Sequence, residues 1–316
     1  MKKASVLRDF PYPFKDQVYR YSNNSIPLHT PNCIEVTSTY IEEMRLKRTL
    51  LENHPERCFQ SLPHSVHAQW EVVDTVIDHL VTYYPQHFSV ERNGRHWTFR
   101  NNILKDNNTF IYGDESSLPC QPLDFIGRHI QEDLILMMQR DGDLYLDAGQ
   151  LCFPANCSLA FNAGMNFKEI HRPIPGFKEE GMDGRILTFL LKMEAGDPWV
   201  RRNWSLMAGN RLDTSLETFD QWGADRRKVT KENAGEFVHF RVEVQKLFRM
   251  PGSNGILFTI HTHLLSLETF ASNPDWLHQF YQILGELPEH ITEYKGISLY
   301  KESVLDYLKA RMTESG

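Results

Sequence analysis

The sequence predicts an α+β fold, in which helical segments flank a mostly antiparallel β-sheet. In the N-terminal and C-terminal parts of the chain, apolar residues recur at helical spacing with charged residues between them. In the middle of the chain, apolar and polar residues alternate instead, as they do in strands with one buried face. Asp141 and Gly142 join two of these segments, and this dipeptide is typical of the tight turn of a β-hairpin.

Each predicted element follows from one of these two patterns. Helices are predicted at residues 39–52 and 65–84, and two amphipathic helices are predicted near residues 275–287 and 300–312. Short helical pieces are predicted around residues 158–171, after the first hairpin. The predicted strands are residues 134–140, 143–153, 186–193, 200–208, 237–248 and 255–264. A sheet of about five such strands can hold a flat cofactor between one face and the inserted helices.

The chain shows no internal repeat and no low-complexity linker, so we expect residues 1–316 to fold as a single domain. Within it we expect a helical cover at about residues 35–130, a sheet core at about residues 131–270 and C-terminal helices at about residues 271–316.

The charge and hydropathy of the chain restrict its partners. The net charge is -7, which argues against a nucleic acid or an anionic membrane and favours a small solute that is neutral or cationic. The chain has no run of about 18 apolar residues. The opening MKKASVLRDFPYPF is interrupted by Arg8, Asp9 and two prolines before a signal-peptide core can form. We therefore expect a cytoplasmic protein without a membrane partner.

The cysteines and the common enzyme motifs give little support to other classes. Five scattered cysteines do not suggest a disulfide framework, and Cys152 and Cys157 alone make a poor zinc signature. The sequence contains no dinucleotide fingerprint, no P-loop, no H-E-x-x-H and no G-x-S-x-G.

His171 stands at the end of a predicted helix, directly before the rigid segment that begins at Pro173. Its imidazole can act as a helix C-cap whose positive charge suits the helix dipole. Alternatively, it can point into a pocket toward a metal. The local pattern leaves both interpretations open.

A second histidine pair lies in the segment IHTHL. His261 and His263 are two residues apart on a predicted strand, so they share one face and can bind zinc or non-heme iron if a third ligand is present. The alternative is two partly exposed or hydrogen-bonded histidines.

Two strands carry charged residues that can line a pocket. On one of them, alternate residues are polar, which indicates either a solvated face or a paired Arg241 and Glu243 beside a pocket. The other begins with Arg201 and Arg202, and the strand period lets only one of these arginines face a given side.

Taken in order along the chain, several segments resemble the alpha subunit of heme-dependent oxidative N-demethylase. These segments are FPYPF with the nearby Arg20, IQEDLILMMQRDGDLYLDAGQLCFP, NFKEIHRPIPGF, VRRNWSLM, FRVEVQKLFRMPGSNGILFTIHTHLLSL and LPEHITEYKGI. The resemblance spans most of the chain. It departs from the family pattern at Val244, where an arginine is expected, and at IHTHL, where a segment ending in Arg-Thr-Tyr is expected, which leaves the substrate open.

The resemblance implies a PAS-like antiparallel sheet with inserted short helices, flanked by N- and C-terminal helices, that binds a heme b. It implies a histidine as the proximal ligand of the heme iron, and we expect this ligand to be His171, with Phe167 and Pro173 beside the heme. The other candidate ligands are His239, His261 and His263. The resemblance also implies a distal pocket for dioxygen, whose expected catalytic residues are Arg202, Asn203, Arg241 and Glu243.

The function implied by the resemblance is that of a monooxygenase that activates dioxygen at the heme and oxidises a small amine or an amino-acid-derived substrate. Because the sequence shows neither a dinucleotide fingerprint nor a four-cysteine iron–sulfur motif, we expect external electrons from a flavin/iron–sulfur reductase that uses NAD(P)H. The alternatives are a heme-based PAS gas or redox sensor, and a non-heme metal enzyme built on His261 and His263.

Overall fold

A computed structural model describes residues 7–16, 18–19 and 24–314 of the chain. Within these residues, seven strands form one antiparallel sheet in the order β1-β8-β9-β10-β6-β7-β2, and three more form a small antiparallel sheet in the order β3-β4-β5. The strands are β1 Ile26–Pro27, β2 Phe59–Ser61, β3 Phe88–Asn93, β4 His96–Asn101, β5 Asp106–Ile111, β6 Asp133–Arg140, β7 Asp143–Gln150, β8 Trp199–Ala208, β9 Val238–Arg249 and β10 Ile256–Ser266.

The helices lie before, between and after the strands of the large sheet. They are α1 Tyr40–Asn53, α2 Pro55–Cys58, α3 Val66–Tyr83, α4 Pro122–Gly127, α5 Leu159–Asn162, α6 Phe167–His171, α7 Met182–Lys192, α8 Phe219–Trp222, α9 Ala234–Phe237, α10 Leu267–Phe270, α11 Pro274–Glu286, α12 Glu289–Tyr294 and α13 Lys301–Glu314. Short 3-10 turns occupy Pro63–Ser65, Glu115–Ser117, Leu216–Thr218 and Gly223–Lys228. In the described residues, no helix combines the length and apolar character needed to cross a bilayer. The α+β class is confirmed.

The hairpin predicted at Asp141 and Gly142 is confirmed. It joins β6 to β7, and both turn residues have positive φ angles, 51° and 73°, as a two-residue turn of type I′ requires. The predictions for β8, β9 and β10 are also confirmed, with ends that differ by one or two residues. Strands β9 and β10 pair over eleven residues and form the centre of the sheet.

The strand predicted at residues 186–193 is wrong, because this segment lies in helix α7. Its apolar run suits both structures, and short apolar runs do not distinguish a strand from a buried helix. The helix buries Leu187 and Leu190, three residues apart, against the sheet. The N-terminal part, expected to be a helical cover, also contains the small sheet of residues 88–111. The division of one domain into three parts stays a prediction.

The large sheet has two differently covered faces. We call the first the insert face, because the segment that links β7 to β8 packs on it; its apolar core joins Phe258 and Ile260 of the sheet to Phe167 and Phe177 of that segment. We call the second the histidine face, because it carries His261. One apolar core of this face packs on α3 and the small sheet, and another packs on α11–α13. Alternation along each strand assigns successive residues to opposite faces.

Candidate functional site

His171 is the last residue of α6, a short helix with a well-defined start. The Asn166 side chain accepts a hydrogen bond from the Glu169 amide at 3.0 Å, and the Glu169 carboxylate accepts one from the Asn166 amide at 2.9 Å. This reciprocal capping stabilises a helix that is too short to form alone. The predicted position of His171 at a helix end is confirmed.

The hydrogen bond made by His171 fixes its tautomer. Nδ1 lies 2.7 Å from the carbonyl oxygen of Phe167. A carbonyl oxygen can only accept, so Nδ1 carries the proton and the lone pair is on Nε2. A histidine whose Nδ1 is bound to a backbone carbonyl presents Nε2 in the state that binds a metal.

The surroundings of His171 keep it neutral. Its ring stacks on Phe177, with centroids 5.3 Å apart, and lies 4.2 Å from the ring of Phe167. Burial lowers the pKa of His171 to about 4, and the positive charge of Arg201 acts in the same direction. At neutral pH the imidazole is therefore uncharged, which removes the charge–dipole argument for a simple helix C-cap.

The insert face carries a buried polar cluster, which we call the Glu243 cluster: Asn203, Arg241, Glu243 and Gln245. Glu243 accepts hydrogen bonds from Gln245 Nε2 at 2.9 Å and from Asn203 Nδ2 at 3.4 Å, and Arg241 Nε lies 3.3 Å from its other oxygen. Because Asn203 is opposite Glu243 in the β8–β9 register, their side chains leave the sheet on the same face. Of the two interpretations of this strand, a solvated face or a pair of Arg241 with Glu243, the structure confirms the pair.

Arg241 is almost completely occupied by protein acceptors. Besides Glu243, it donates to the carbonyl oxygens of Phe153 at 2.6 Å and Leu212 at 2.9 Å, and to Thr262 Oγ1 at 3.2 Å. Its side chain is 1% exposed. These contacts make Arg241 an anchor that ties two loops to the sheet and holds Glu243 in place.

Two more cations lie near Glu243. Burial lowers the pKa of Lys295 to about 8, and the negative charge of Glu243 opposes that effect. Lys295 donates to the carbonyl oxygen of Trp204 at 2.7 Å. Burial also lowers the pKa of Arg201, and the negative charge of Glu243 again opposes that effect. The neighbourhood of Glu243 is therefore richer in positive than in negative charge.

Arg201 Nε and Gln245 Oε1 are buried on the insert face and have no hydrogen-bond partner among the residues that the structure describes. The two residues lie opposite each other in the β8–β9 register. Buried polar atoms are normally paired, so such atoms indicate a place where a bound molecule completes the hydrogen bonding.

Arg202 does not join the other expected catalytic residues. It follows Arg201 on β8 and lies on the histidine face, where it lines a pocket of about 240 Å³ together with Glu35, Val244 and Lys246. Grouping Arg202 with Asn203 conflicts with strand alternation, because adjacent residues face opposite sides. Arg201, not Arg202, is the arginine beside Glu243. The chain departs from the family pattern at Val244 and in the segment IHTHL. Of these residues, Val244, His261 and His263 also lie on the histidine face.

The other expected residues divide between the two faces. Phe167 contacts His171, and Pro173 follows it by two residues. Of the other candidate ligands, His239 lies at the start of β9, opposite Met207 of β8, whereas His261 and His263 lie on the histidine face. Arg20 falls outside the described residues. Sequence patterns did not single out Lys295, which lies just after α12 and carries no spacing signal.

A family model described as haem-dependent oxidative N-demethylase, alpha subunit-like, matches residues 26–305. Because the match covers most of the 316 residues, the chain belongs to this family, and the resemblance noted in the sequence is confirmed. The family description names a heme-dependent oxidoreductase.

Proposed function

We propose that this member of the family is a monooxygenase that oxidises a small amine or an amino-acid-derived substrate, with His171 as the proximal ligand of a heme b. The observation that carries the proposal is the hydrogen bond from His171 Nδ1 to the Phe167 carbonyl oxygen, which leaves a neutral imidazole with its lone pair on Nε2. When bound, the heme supplies the redox-active iron at which dioxygen is reduced.

The donor chemistry of the insert face suits such a group. His171 offers a nitrogen ligand, Phe167 and Phe177 offer flat apolar contacts, and Arg201 offers a buried N–H without a protein partner. The antiparallel sheet with helices inserted after β7 is the feature that supports a PAS-like description of the fold. In the proposal Pro173 limits the freedom of the α6 end and so helps to fix the direction of the imidazole.

The Glu243 cluster is the proposed substrate site. The Glu243 carboxylate binds the ammonium group of the substrate, Asn203 orients that carboxylate, and Arg241 acts as a positioning residue because its donors are already used. The surplus of positive charge from Arg201 and Lys295 favours an amine that also carries a carboxylate. Arg202 is left out of this set because it lies on the other face.

The proposal requires an electron donor outside this chain. We infer a reductase with flavin and iron–sulfur centres that uses NAD(P)H, and a cytoplasmic location without a nucleic acid or membrane partner. A purified chain that turned over an amine with NAD(P)H alone would contradict this part.

The first test compares optical spectra of the wild type, His171→Ala and His239→Ala, in the ferric form, the reduced form and the reduced form with carbon monoxide. We expect a Soret band in the wild type and in His239→Ala, and its loss or displacement in His171→Ala. A wild type that stays free of heme after reconstitution would overturn the proposal. A Soret band unchanged in His171→Ala would overturn the ligand assignment alone.

The second test addresses the substrate site and separates an enzyme from a gas sensor. With a reductase and a panel of simple and amino-acid amines, Glu243→Gln should keep the Soret band and lower kcat/KM by about 100-fold or more. Arg201→Met should raise KM for the amino-acid amines, whereas Arg202→Met, its neighbour on the opposite face, should not. Heme binding without turnover of any amine would favour a sensor.

A further inference from the structure

The histidine face carries a cluster of ligand-type side chains that the proposed function does not use. His261 and His263 of β10 lie between the two apolar cores of this face, next to Glu35 from the segment that precedes α1. Their rings stack with centroids 4.3 Å apart. Two further carboxylates contact His261: Glu43 lies beside Nε2 and Glu132 beside Nδ1.

Three ligand atoms of this cluster converge. Glu35 Oε2 lies 3.8 Å from His261 Nδ1 and 3.9 Å from His263 Nε2, and all three lie within 4.8 Å of one another. A tetrahedral zinc ion with bonds of about 2.1 Å separates its ligand atoms by roughly 3.4 Å. Small side-chain rotations are therefore enough to bring the three atoms onto one ion.

Neither ligating nitrogen makes a hydrogen bond to another described residue, although Glu132 Oε1 forms an ion-pair contact of 3.3 Å with His261 Nδ1. His261 Nδ1 and His263 Nε2 are both buried and lack a hydrogen-bond partner there, and the His261 side chain is only 2% exposed. Lys246 Nζ holds the other oxygen of Glu35 at 2.9 Å, which directs Oε2 toward the histidines. Leaving buried nitrogens without a hydrogen-bond partner is unfavourable, and a bound cation would satisfy both.

The surroundings also provide an outer layer of carboxylates. His261 Nε2, the nitrogen that faces away from Glu35, lies 3.8 Å from Glu43 Oε2. Glu43 is itself fixed by hydrogen bonds of 2.6 Å from Gln131 and from Thr39. A carboxylate behind the non-ligating nitrogen is the usual outer layer of a histidine metal ligand.

A proton on His261 is the competing occupant. Burial lowers the pKa of His261, but the carboxylates of Glu132, Glu43 and Glu35 outweigh burial and raise the pKa to about 10. A proton on Nδ1 would serve Glu132, whose Oε1 lies 3.3 Å away, but it would leave His263 Nε2 without a partner. A divalent ion serves both imidazoles and Glu35 together.

We propose that Glu35, His261 and His263 bind a divalent transition-metal ion, with zinc as the reference ion. Three protein ligands leave at least one coordination position, which water or a small anion can fill. A pocket of about 240 Å³ is lined by Glu35, Arg202 and Lys246, and in this proposal an incoming ligand reaches that position along the Glu35 side of the pocket. The two cations on its wall favour an anion over a neutral ligand.

The test is zinc binding by the full chain after it has been stripped with a chelator. Calorimetric titration with ZnCl₂ and metal analysis after gel filtration should give one zinc per chain for the wild type. His263→Ala and Glu35→Gln should weaken the affinity by about 100-fold. The matched control is His239→Ala, which removes a half-buried histidine on the neighbouring strand β9 and should leave zinc binding unchanged.

The outcomes separate this site from the heme site. Zinc uptake should persist in His171→Ala, since that residue lies on the other side of the sheet. A wild type that takes up no zinc, or variants that bind it as tightly as the wild type, would overturn the proposal. Because Glu35 is 36% exposed, Glu35→Gln should fold, and thermal melts of each variant identify any loss of affinity that comes from unfolding.

Discussion

Replacing Arg241 with methionine should destabilise the protein strongly, because Arg241 is a buried cation that satisfies several buried acceptors at once. Methionine keeps much of the apolar volume but removes the donors to the Phe153 and Leu212 carbonyl oxygens, to Thr262 and to Glu243. A hydrogen bond that involves a charged group contributes about 1.5–3 kcal/mol, and part of that is recovered where an acceptor finds water. The lost loop bonds and the buried charge of Glu243, left without its arginine partner, together give an expected loss of about 3–5 kcal/mol in the free energy of unfolding.

The assay is guanidinium unfolding followed by circular dichroism and tryptophan fluorescence, with Arg249→Met as the matched control. Arg249 is a buried arginine eight residues further along β9 on the same face, and it donates to the carbonyl oxygens of Leu190 and Met193 at 2.5 and 3.1 Å. We expect a similar loss of stability in both variants. Of the two variants, only Arg241→Met should also weaken binding of the substrate amine, because Arg241 contacts Glu243 and Arg249 does not.

A loss below about 1 kcal/mol in Arg241→Met, with the slope of the transition unchanged, would refute this reasoning. It would mean that the acceptors around Arg241 find other partners, so that the arginine does not anchor the two loops.

Three further substitutions test the packing and the buried charges. Burial lowers the pKa of His129 from 6.5 to about 3. Between pH 6.5 and about 3, His129 is therefore protonated in the unfolded chain but neutral in the folded chain. Stability should therefore fall as pH falls from about 6.5 toward 3, by about 1.4 kcal/mol per pH unit, and His129→Asn should show a shallower fall in denaturant titrations at each pH; equal slopes would contradict the assignment. Gly149→Ala should cost about 1–3 kcal/mol, because the new Cβ would lie 2.8 Å from Leu159 Cδ1 and 3.0 Å from Ile135 Cδ1. Gly184→Ala lies in helix α7, where the new Cβ would meet no neighbouring atom within 4 Å, and it should raise the free energy of unfolding by about 0.5–1 kcal/mol. Thermal melts measure both glycine variants, and a shift of the same sign in both would show that local space does not decide the outcome.

Much of the large sheet could be predicted because its strands alternate apolar and polar residues and its first hairpin carries Asp141 and Gly142 at the turn. The small sheet was missed although a signal was present: Gly94 and Arg95 form the two-residue turn between β3 and β4, and Gly94 has a φ of 58°. Helix α7 was misassigned for a different reason. Its residues suit either structure, and tertiary packing against the insert face decides between them.

The position of His171 could be predicted, but the rest of the site depended on contacts that sequence spacing does not contain. Alternation along β8 predicts that Arg201 and Arg202 face opposite sides of the sheet. Only the pairing of Asn203 with Glu243 in the β8–β9 register shows which side carries the Glu243 cluster. Glu35 is more distant still, because it comes from a segment without regular structure more than 200 residues before His261. No local pattern links these two residues.

Side chains alternate between the two faces along each strand, and this alternation explains how one sheet can hold two separate sites. Thr262 lies between His261 and His263 along β10, and it contacts Arg241 on the insert face while its two neighbours face Glu35 on the other. A strand is one residue thick, so the two clusters come close through the sheet without sharing a side chain. The backbone hydrogen bonds of a central strand keep its register fixed. A slip of one residue would move every side chain of the strand to the opposite face, where it would not fit. Substitutions at His261 or His263 should therefore leave the tautomer and surroundings of His171 intact, and substitution of His171 should leave the Glu35 site intact, because the strand register stays fixed and the two clusters share no side chain.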